Sequence, residues 1–351
     1  MGPSVAGGAR VATMSDVARR AGVSKMTVSN VLNGRTRVGE ATRRRVLEAV
    51  DELGYEINLT ARRLRAGRVD TVALIVPRFD HTYFAELATS FATEVANHGR
   101  HLVVAQSGAS KEGELSELSL ARLRQYDAVV LSAVGLTYDE VDSLSSTQPL
   151  VLLGEQDVPQ RFDHVSIGNA EGARLAVRHL LGRGARRVAV VDGPSVGPAG
   201  TGAPGGLDPT SGLRTQGWRT AHADVGLVPD ERLVLGGALY TAQGAREVVL
   251  RALAAGLAPD AVFAVTDDMA YGVLAALHDA GLRVPQDVAV VGFDNLRGSE
   301  FAVPGLSSVD PGRDWIARQA VSVIERRLAG EAFEPVRLTT PVELVVRGSS
   351  A

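Results

Sequence analysis

Short apolar runs that alternate with longer amphipathic segments dominate residues 70–295 of this chain. The runs predicted to be buried strands are TVALIVP (71–77), HLVVAQ (101–106), DAVVLS (127–132), PLVLLG (149–154), RRVAVVD (186–192), DAVFAVT (260–266) and DVAVVGFD (287–294). The segments between them, such as YFAELATSFATEVANHG and AEGARLAVRHLLGRG, have helical spacing of apolar residues. Strands that alternate with helices predict an α/β body of doubly wound parallel sheets, with enough strands for two. Ligands of such sheets bind beyond the carboxyl ends of the strands.

The first 68 residues differ in charge from the rest of the chain. They hold 13 basic and 6 acidic residues, a net charge of +7, whereas the other 283 hold 24 and 34, a net charge of −10. A basic head on an acidic body predicts that only the head meets a polyanion. Chance clustering of charges on a solvated surface would give the same values. Whether the head binds a polyanion is therefore decided by the motif that it contains.

The remaining composition narrows the class of protein. The chain has 351 residues and no cysteine, which excludes a disulfide framework and a thiolate metal site and fits a cytoplasmic protein. Residues 1–12 lack the apolar core of a signal peptide and are predicted to be a disordered tail. No apolar run is long enough to span a membrane, so no membrane partner is expected.

Residues 13–57 carry the signals of an all-α, three-helix domain. Thr13 and Asp16 are spaced as in a capping box, Gly22 ends the first helix, and Ser24 can cap the second. The inward positions of the second helix are Val28, Val31 and Leu32, and a third helix runs from about Glu40 to Leu53. Two short helices joined by a tight glycine turn and braced by a third indicate a helix-turn-helix, whose second helix lies in the major groove of DNA.

The outward residues of the second helix have side chains suited to bases and phosphates. Lys25 can donate to guanine, Met26 can contact a thymine methyl group, and Asn30 can pair with adenine. The predicted DNA-contacting residues of the head are Thr13, Ser24, Lys25, Met26, Thr27, Ser29, Asn30 and Asn33. A helical hairpin with a merely polar surface is the alternative, and the basic head disfavours it.

SDVARRAGVSKMTVSNVLNG and VGEATRRRVLEAVDELGY resemble the head of the LacI/GalR family of bacterial repressors. NLTARRLRAGR (58–68) resembles that family's hinge helix. The resemblance implies that hinge helices from two subunits enter the minor groove of a double-stranded operator, where Leu64 wedges between base pairs. It also implies that Ala61 lets the two hinge helices approach, and that Arg62 and Arg65 neutralise phosphates.

Two positions depart from the family pattern. Ile57 stands where the family commonly has proline, which leaves the entry to the hinge helix loosely defined. Asn30 stands where many members have arginine, so the operator bases cannot be copied from other members.

The resemblance extends over the body through RVPQDVAVVGFDN (283–295), AVTDDMAYGVLAAL (264–277) and the RxxGW pattern at 214–218. It implies a periplasmic-binding-protein-like ligand-binding and dimerisation domain over 69–347. The expected boundaries are an N-subdomain of about 70–166 plus 296–325 and a C-subdomain of about 167–295 plus 326–347.

The same resemblance assigns residues to a ligand cleft between the subdomains. These residues are His81, Tyr83, Phe84, Arg214, Thr266, Asp267 and Asp294. Aromatic faces suit a sugar or a flat base, Arg214 would grip a polar group, and Asp294 would accept from hydroxyls. Each has a structural alternative: Tyr83 and Phe84 can be core, His81 can lie on the surface, and Asp267 can cap the following helix.

These features predict a ligand-responsive, sequence-specific repressor that binds a pseudo-palindromic operator as a homodimer. A sugar or related polyol is the first choice of effector and a nucleoside or purine the second; inducer and co-repressor roles both stay open. An enzyme is disfavoured because the first strand runs into VPRFDHTYF without a G-x-G-x-x-G or G-x-x-x-x-G-K-[ST] pattern, and no catalytic residue, metal or cofactor is predicted. A solute-binding protein shares the body fold but requires export. The Gly/Pro-rich segment 193–212 is either a lid over the ligand cleft or an insertion that the fold tolerates.

Overall fold

A computed structural model describes residues 12–32, 38–55, 69–146, 148–192 and 209–351. The described residues fall into two compact units, one within Met1–Val69 and the other within Asp70–Ala351. The predicted tail (except Ala12), the predicted hinge helix 58–68 and residues 193–208 of the Gly/Pro-rich segment lie outside the described residues. None of the helices in the described ranges has the length and apolar character needed to cross a membrane.

The head contains the three predicted helices, α1 (Met14–Ala21), α2 (Lys25–Leu32) and α3 (Glu40–Leu53). The predicted capping box is confirmed, because Thr13 Oγ1 accepts from the Asp16 backbone N–H and Asp16 accepts from the Thr13 N–H at 3.0 Å. Gly22 ends α1 in the left-handed conformation, with φ +65°. The buried core of the head consists of Val17, Ala18, Ala21, Val28, Val31, Val46, Ala49 and Tyr55. Leu32 is half-buried against this core.

The body is built from strands and helices in alternation. Its described strands are β1 (Thr71–Val76), β2 (His101–Gln106), β3 (Ala128–Ser132), β4 (Leu150–Leu153), β5 (Asp163–Ser166), β6 (Val188–Val191), β7 (Val234–Leu235), β8 (Ala261–Ala264), β9 (Ala289–Phe293), β10 (Ser307–Asp310), β11 (Arg337–Thr339) and β12 (Glu343–Val345). Its described helices are α4 (Thr82–Asn97), α5 (Lys111–Glu117), α6 (Leu120–Leu123), α7 (Tyr138–Ser143), α8 (Asn169–Gly182), α9 (Pro209–Asp224), α10 (Ala242–Ala254), α11 (Asp267–Asp279), α12 (Arg297–Phe301) and α13 (Arg313–Leu328), with a 3₁₀ turn at Glu231–Leu233.

The strands form two six-stranded sheets, which define two subdomains. The N-subdomain sheet has the order β11-β5-β4-β3-β1-β2, and the C-subdomain sheet has the order β12-β10-β9-β8-β6-β7. All pairings are parallel except that of β12 with β10. The predicted pair of doubly wound sheets is therefore confirmed, with one antiparallel edge strand added.

Each sheet has its own apolar core. In the N-subdomain, α4 and α13 pack on the sheet through buried side chains such as Phe91 and Ile316. In the C-subdomain, α8 and α9 pack together, and the fully buried Trp218 donates its indole N–H to the Val188 carbonyl at 2.9 Å. The buried residues form one cluster in the C-subdomain and two in the N-subdomain, so each subdomain has a core of its own.

The later subdomain boundaries differ from the sequence-based ones. The prediction placed 296–325 in the N-subdomain and 326–347 in the C-subdomain, but β10 pairs with β9 and β11 pairs with β5. The chain therefore crosses near 167–168, 311–312 and 340–342. The error has a physical cause: β10 (SSVD) and β11 (RLT) are too short and polar to be seen as strands.

The crossing segments pack against one another. Thr340 donates its hydroxyl to the Pro311 carbonyl at 2.9 Å. Gly312 has φ +72°, and a Cβ there would lie 3.3 Å from the Pro341 carbonyl oxygen. Glycine at 312 therefore permits both the left-handed conformation and the close approach of two crossings.

Candidate functional site

The outward face of α2 is the candidate DNA-contacting surface of the head. Ser24 Oγ accepts from the Thr27 N–H at 3.1 Å, which caps the helix as predicted. Because Val28 and Val31 point into the core, Lys25 is exposed and Met26 is 73% exposed. Thr27, Ser29 and Asn30 are half-buried. Asn33, Ala61, Arg62, Leu64 and Arg65 lie outside the described residues, so their predicted contacts stay predictions.

Arg214 on α9 is the centre of the candidate ligand site in the body. It is only 3% exposed, and Nε donates to Asn169 Oδ1 at 2.7 Å while Nη1 donates to the Val265 carbonyl. Its guanidinium lies 3.5 Å from the centre of the Phe293 ring, in cation–π geometry. These contacts fix the guanidinium, yet Nη2 makes no hydrogen bond to the described residues. An oriented donor group is therefore available to a ligand.

Asp294 follows β9 and lies beside Arg214. The residue is buried, has φ +113°, and its Oδ1 is 3.5 Å from Arg214 Nη1. Its carboxylate accepts no hydrogen bond from the residues described. Burial raises the pKa of Asp294 to about 8, although the Arg214 charge opposes the shift. The Asp294 carboxyl group is thus buried, and its oxygens can still take part in further hydrogen bonds.

Asp267, at the start of α11, has a different environment. It is fully buried, and its oxygens accept from the Leu296 N–H at 2.8 Å and from the Ser299 and Ser308 hydroxyls at 2.6 Å each. Burial raises the pKa of Asp267 to about 6, and these hydrogen bonds limit the rise. A Cβ at Gly292 would lie 2.2 Å from Asp267 Oδ1, so the neighbouring strand leaves room only for glycine. Asp267 therefore has a structural role, but not the predicted helix cap, which Thr266 supplies instead; the geometry does not support the predicted ligand contact.

Thr266 stands at the carboxyl end of β8, directly after the carbonyl that Arg214 binds. Its Oγ1 accepts from the Met269 N–H at 3.2 Å and so caps α11. The side chain is half-buried. Its predicted ligand contact stays a prediction, and the observed role is that of a helix cap.

The N-subdomain contributes an aromatic group at the start of α4. The Phe84 ring meets Tyr83 edge-to-face at 5.3 Å and lies 6.3 Å from His81. All three are half-buried, and Tyr83 and Phe84 also pack on the N-subdomain core. Burial and the nearby Asp294 carboxylate raise the pKa of Tyr83, which keeps its hydroxyl protonated as a donor. Tyr83 is thus near the Arg214–Asp294 pair of the facing subdomain.

Two residues of this site were not predicted. Asn169 accepts from Arg214, and the Phe293 ring stacks on its guanidinium. Asn169 begins a helix and was indistinguishable from a cap, and Phe293 ends an apolar strand and was indistinguishable from core. In the ranges that the structure covers, no three His, Asp or Glu side chains are placed to hold a metal ion.

Comparison with known proteins identifies the family. Residues 13–58 match the model of bacterial regulatory proteins of the lacI family, and residues 177–350 match that of the periplasmic binding protein-like domain. The HTH-type transcriptional regulator AscG of Escherichia coli strain K12 is 33% identical over 327 residues, which span 92% of this chain and 94% of AscG. The chain belongs to the lacI family of bacterial transcription regulators.

Solved structures support the assignment of this chain to the LacI family. A transcriptional regulator CelR–cellobiose complex is 31% identical and superposes with a TM-score of 0.69, over 96% of this chain and 99% of that one. The lac repressor dimer bound to operator and the anti-inducer ONPF is 23% identical, with a TM-score of 0.82 over 97% and 99%, and shows the shared fold. The relatives are DNA-binding regulators, so the enzyme alternative is rejected. The matched head distinguishes the chain from a solute-binding protein.

Proposed function

We propose that this LacI-family regulator is a cytoplasmic repressor that binds a pseudo-palindromic operator as a homodimer. A sugar or related polyol in the cleft between its subdomains controls it. The observation that carries the proposal is the Arg214–Asp294 pair, a fixed donor beside a buried acceptor, facing Tyr83 of the other subdomain.

A polyol satisfies this pair better than most ligands. Adjacent hydroxyls both donate and accept, so one can accept from Arg214 Nη2 while its neighbour donates to Asp294. Hydrogen bonds to charged groups in a buried site contribute about 1.5–3 kcal/mol each. The aromatic side chains of Tyr83 and Phe84 would cover the C–H face of a ring.

A nucleoside or purine is the second candidate, and one observation favours it. The edge-to-face pair of Tyr83 and Phe84 presents aromatic surface that suits a flat base as well as a sugar. The two classes differ in what Asp294 would accept, a sugar hydroxyl or a ring N–H.

A thermal-shift panel of cellobiose, ribose, adenosine and hypoxanthine tests the ligand class. We expect a sugar to raise the melting temperature of the full chain and to change operator affinity in a fluorescence-anisotropy titration. A shift with hypoxanthine or adenosine alone would favour the second candidate. No shift with any sugar or polyol would contradict the first.

Exposed apolar side chains on the body support the homodimer. Leu120 on α6 is 68% exposed, and Phe301 and Val303 beside α12 are 79% and 94% exposed. Phe301 and Val303 are close in the sequence, and apolar side chains exposed next to each other commonly mark an interface between subunits, whereas a single one such as Leu120 does not. One recognition helix makes too few base contacts for useful specificity, which also favours two heads on one operator. Sedimentation equilibrium should give a dimer; a monomer at micromolar concentration would contradict this part.

The DNA-binding role can be tested with a matched lysine control. Lys25 on α2 and Lys111 on α5 are the two lysines of the chain. Lys25→Ala should weaken operator binding about tenfold, since a good base contact contributes about 1–3 kcal/mol. Lys111→Ala should leave operator affinity unchanged. Equal effects of the two substitutions would contradict base contact by α2. For the hinge, Leu64→Ala should weaken operator binding while effector binding stays intact.

A further inference from the structure

Helix α4 carries a polar stripe that meets the first turns of three other helices. Thr82, Glu86 and Ser90 recur every four residues and therefore lie on one face of α4. The Thr82 hydroxyl donates to Asp268 Oδ1 at 3.3 Å, and the Ser90 hydroxyl donates to Asp314 Oδ1 at 2.6 Å. Asp268 belongs to α11 of the C-subdomain, so the stripe already spans both subdomains at its first member.

Glu86 is the centre of this stripe and contacts both subdomains. Its Oε1 accepts from the Arg297 N–H, at the start of α12 in the C-subdomain, at 2.9 Å. Its Oε2 lies 3.0 Å from Arg313 Nη2 at the start of α13 in the N-subdomain. Glu86 Oε2 and Arg313 Nη2 are close enough to form an ion pair, but their geometry does not make a hydrogen bond. Both side chains are mostly buried, so solvent screens their attraction only in part.

Arg313 extends the contact to the loop after β9. Its Nη1 donates to the Asp294 carbonyl, and its Nη2 donates to the Asn295 carbonyl at 3.0 Å. One guanidinium therefore joins a carboxylate on α4 to two successive carbonyls of the facing subdomain. The planar fork of arginine suits this arrangement, whereas a single ammonium group cannot reach all three oxygens at once.

We propose that Glu86 and Arg313 form a latch that holds the two subdomains in the arrangement observed here, against a more open one. The latch holds the backbone of Asp294, whose side chain is the proposed ligand acceptor. On the premise of the proposed function, a ligand bound to Asp294 therefore shifts the subdomain equilibrium through Arg313. The closure itself does not depend on the identity of the ligand.

Subdomain separation can be measured directly because the chain has no cysteine. Asp139→Cys on α7 and Thr220→Cys on α9 place spin labels on exposed positions of the N- and C-subdomain. Double electron–electron resonance on the full chain without ligand then gives the distance distribution, and single-label proteins supply the contribution between subunits. In this background, Arg313→Met should shift the distribution to longer distances and broaden it.

Arg327→Met is the matched control. Arg327 lies at the other end of α13 and pairs through Nε and Nη2 with Asp163, at 3.0 Å each, within the N-subdomain. The Arg327→Met substitution should leave the distance distribution unchanged. An unchanged distribution for Arg313→Met, or an equal shift for Arg327→Met, would overturn the latch.

Glu86→Gln keeps the proposal testable if Arg313→Met fails to fold. Glutamine preserves the shape and an acceptor for the Arg297 N–H but removes the charge that faces Arg313. We expect a smaller shift in the same direction, and no shift would overturn the proposal. Because the measurement needs no ligand, a ligand panel without a hit would contradict the proposed function and leave this result standing.

Discussion

Asp267 and Asp294 lie at the carboxyl ends of two adjacent strands, β8 and β9, and differ in what surrounds them. Both are buried and both have a raised pKa. Asp267 accepts three hydrogen bonds, whereas Asp294 accepts none from the described residues and has one ion-pair contact with Arg214. Burial alone therefore does not separate a structural carboxylate from one that can still accept from a ligand, whereas the number of hydrogen bonds already made does.

Asp267→Asn should have the largest effect on stability. The amide would bring N–H donors to a site where an N–H and two hydroxyls already donate, and a buried unsatisfied donor is costly. We expect a loss of about 3 kcal/mol in unfolding free energy. Urea unfolding followed by tryptophan fluorescence, to which Trp218 of the same subdomain and Trp315 both contribute, measures it.

Asp268→Asn is the control for that substitution. Asp268 is half-buried and accepts one long hydrogen bond from Thr82, so its loss should cost less than about 1 kcal/mol. Equal effects at the two positions would show that the hydrogen-bond network around Asp267 has no special importance.

Gly292→Ala should be the next largest change. The added methyl group would lie 2.2 Å from Asp267 Oδ1, so the carboxylate must leave its partners or the strand must move. Overpacking of this kind costs about 1–3 kcal/mol. Gly182→Ala at the end of α8, where a Cβ meets nothing within 4 Å, is the control and should be neutral in the same urea experiment. A neutral Gly292→Ala would contradict the close packing of β9 on Asp267.

The pH dependence of stability should distinguish Asp294 from its neighbours. Its folded pKa of about 8 lies above the ordinary value of about 4 for an aspartate, so the folded state keeps a proton that the unfolded state loses. Stability from this group therefore falls as the pH rises from about 4 to about 8 and levels off above that. Asparagine does not titrate, so the Asp294→Asn variant does not lose this stability. The melting temperature of the variant minus that of the natural chain should therefore increase from about pH 4 to about pH 8. A difference in melting temperature that stays constant over this pH range would contradict a protonated Asp294.

The sequence predicted the scaffold better than it predicted the site. Helices α1 to α3 and the long apolar strands were predictable, because periodicity and caps are local signals. Strands β5, β7 and β10 to β12 were missed because each has only two to four residues and gains its stability from pairing, which the sequence does not display.

The contrast between the two aspartates was not predictable from the sequence. TDD and FDN both place an aspartate after an apolar strand, and the partners that differ, Ser299, Ser308 and Arg214, are 32 to 80 residues distant in the sequence. Glu86 and Arg313 likewise gave no signal, because charged residues on helices are usually solvated.

Calorimetric titration of Asp294→Asn with cellobiose, or with the panel member that gives the largest thermal shift, tests the central claim most directly. The substitution replaces a carboxyl oxygen with an amide nitrogen that can only donate, so a ligand hydroxyl loses its acceptor; at about 1–3 kcal/mol for an unmade buried hydrogen bond, we expect the ligand Kd to rise about tenfold. Operator affinity without ligand should be unchanged in the same protein. An unchanged ligand Kd for Asp294→Asn would contradict the assignment of the Arg214–Asp294 pair as the effector site.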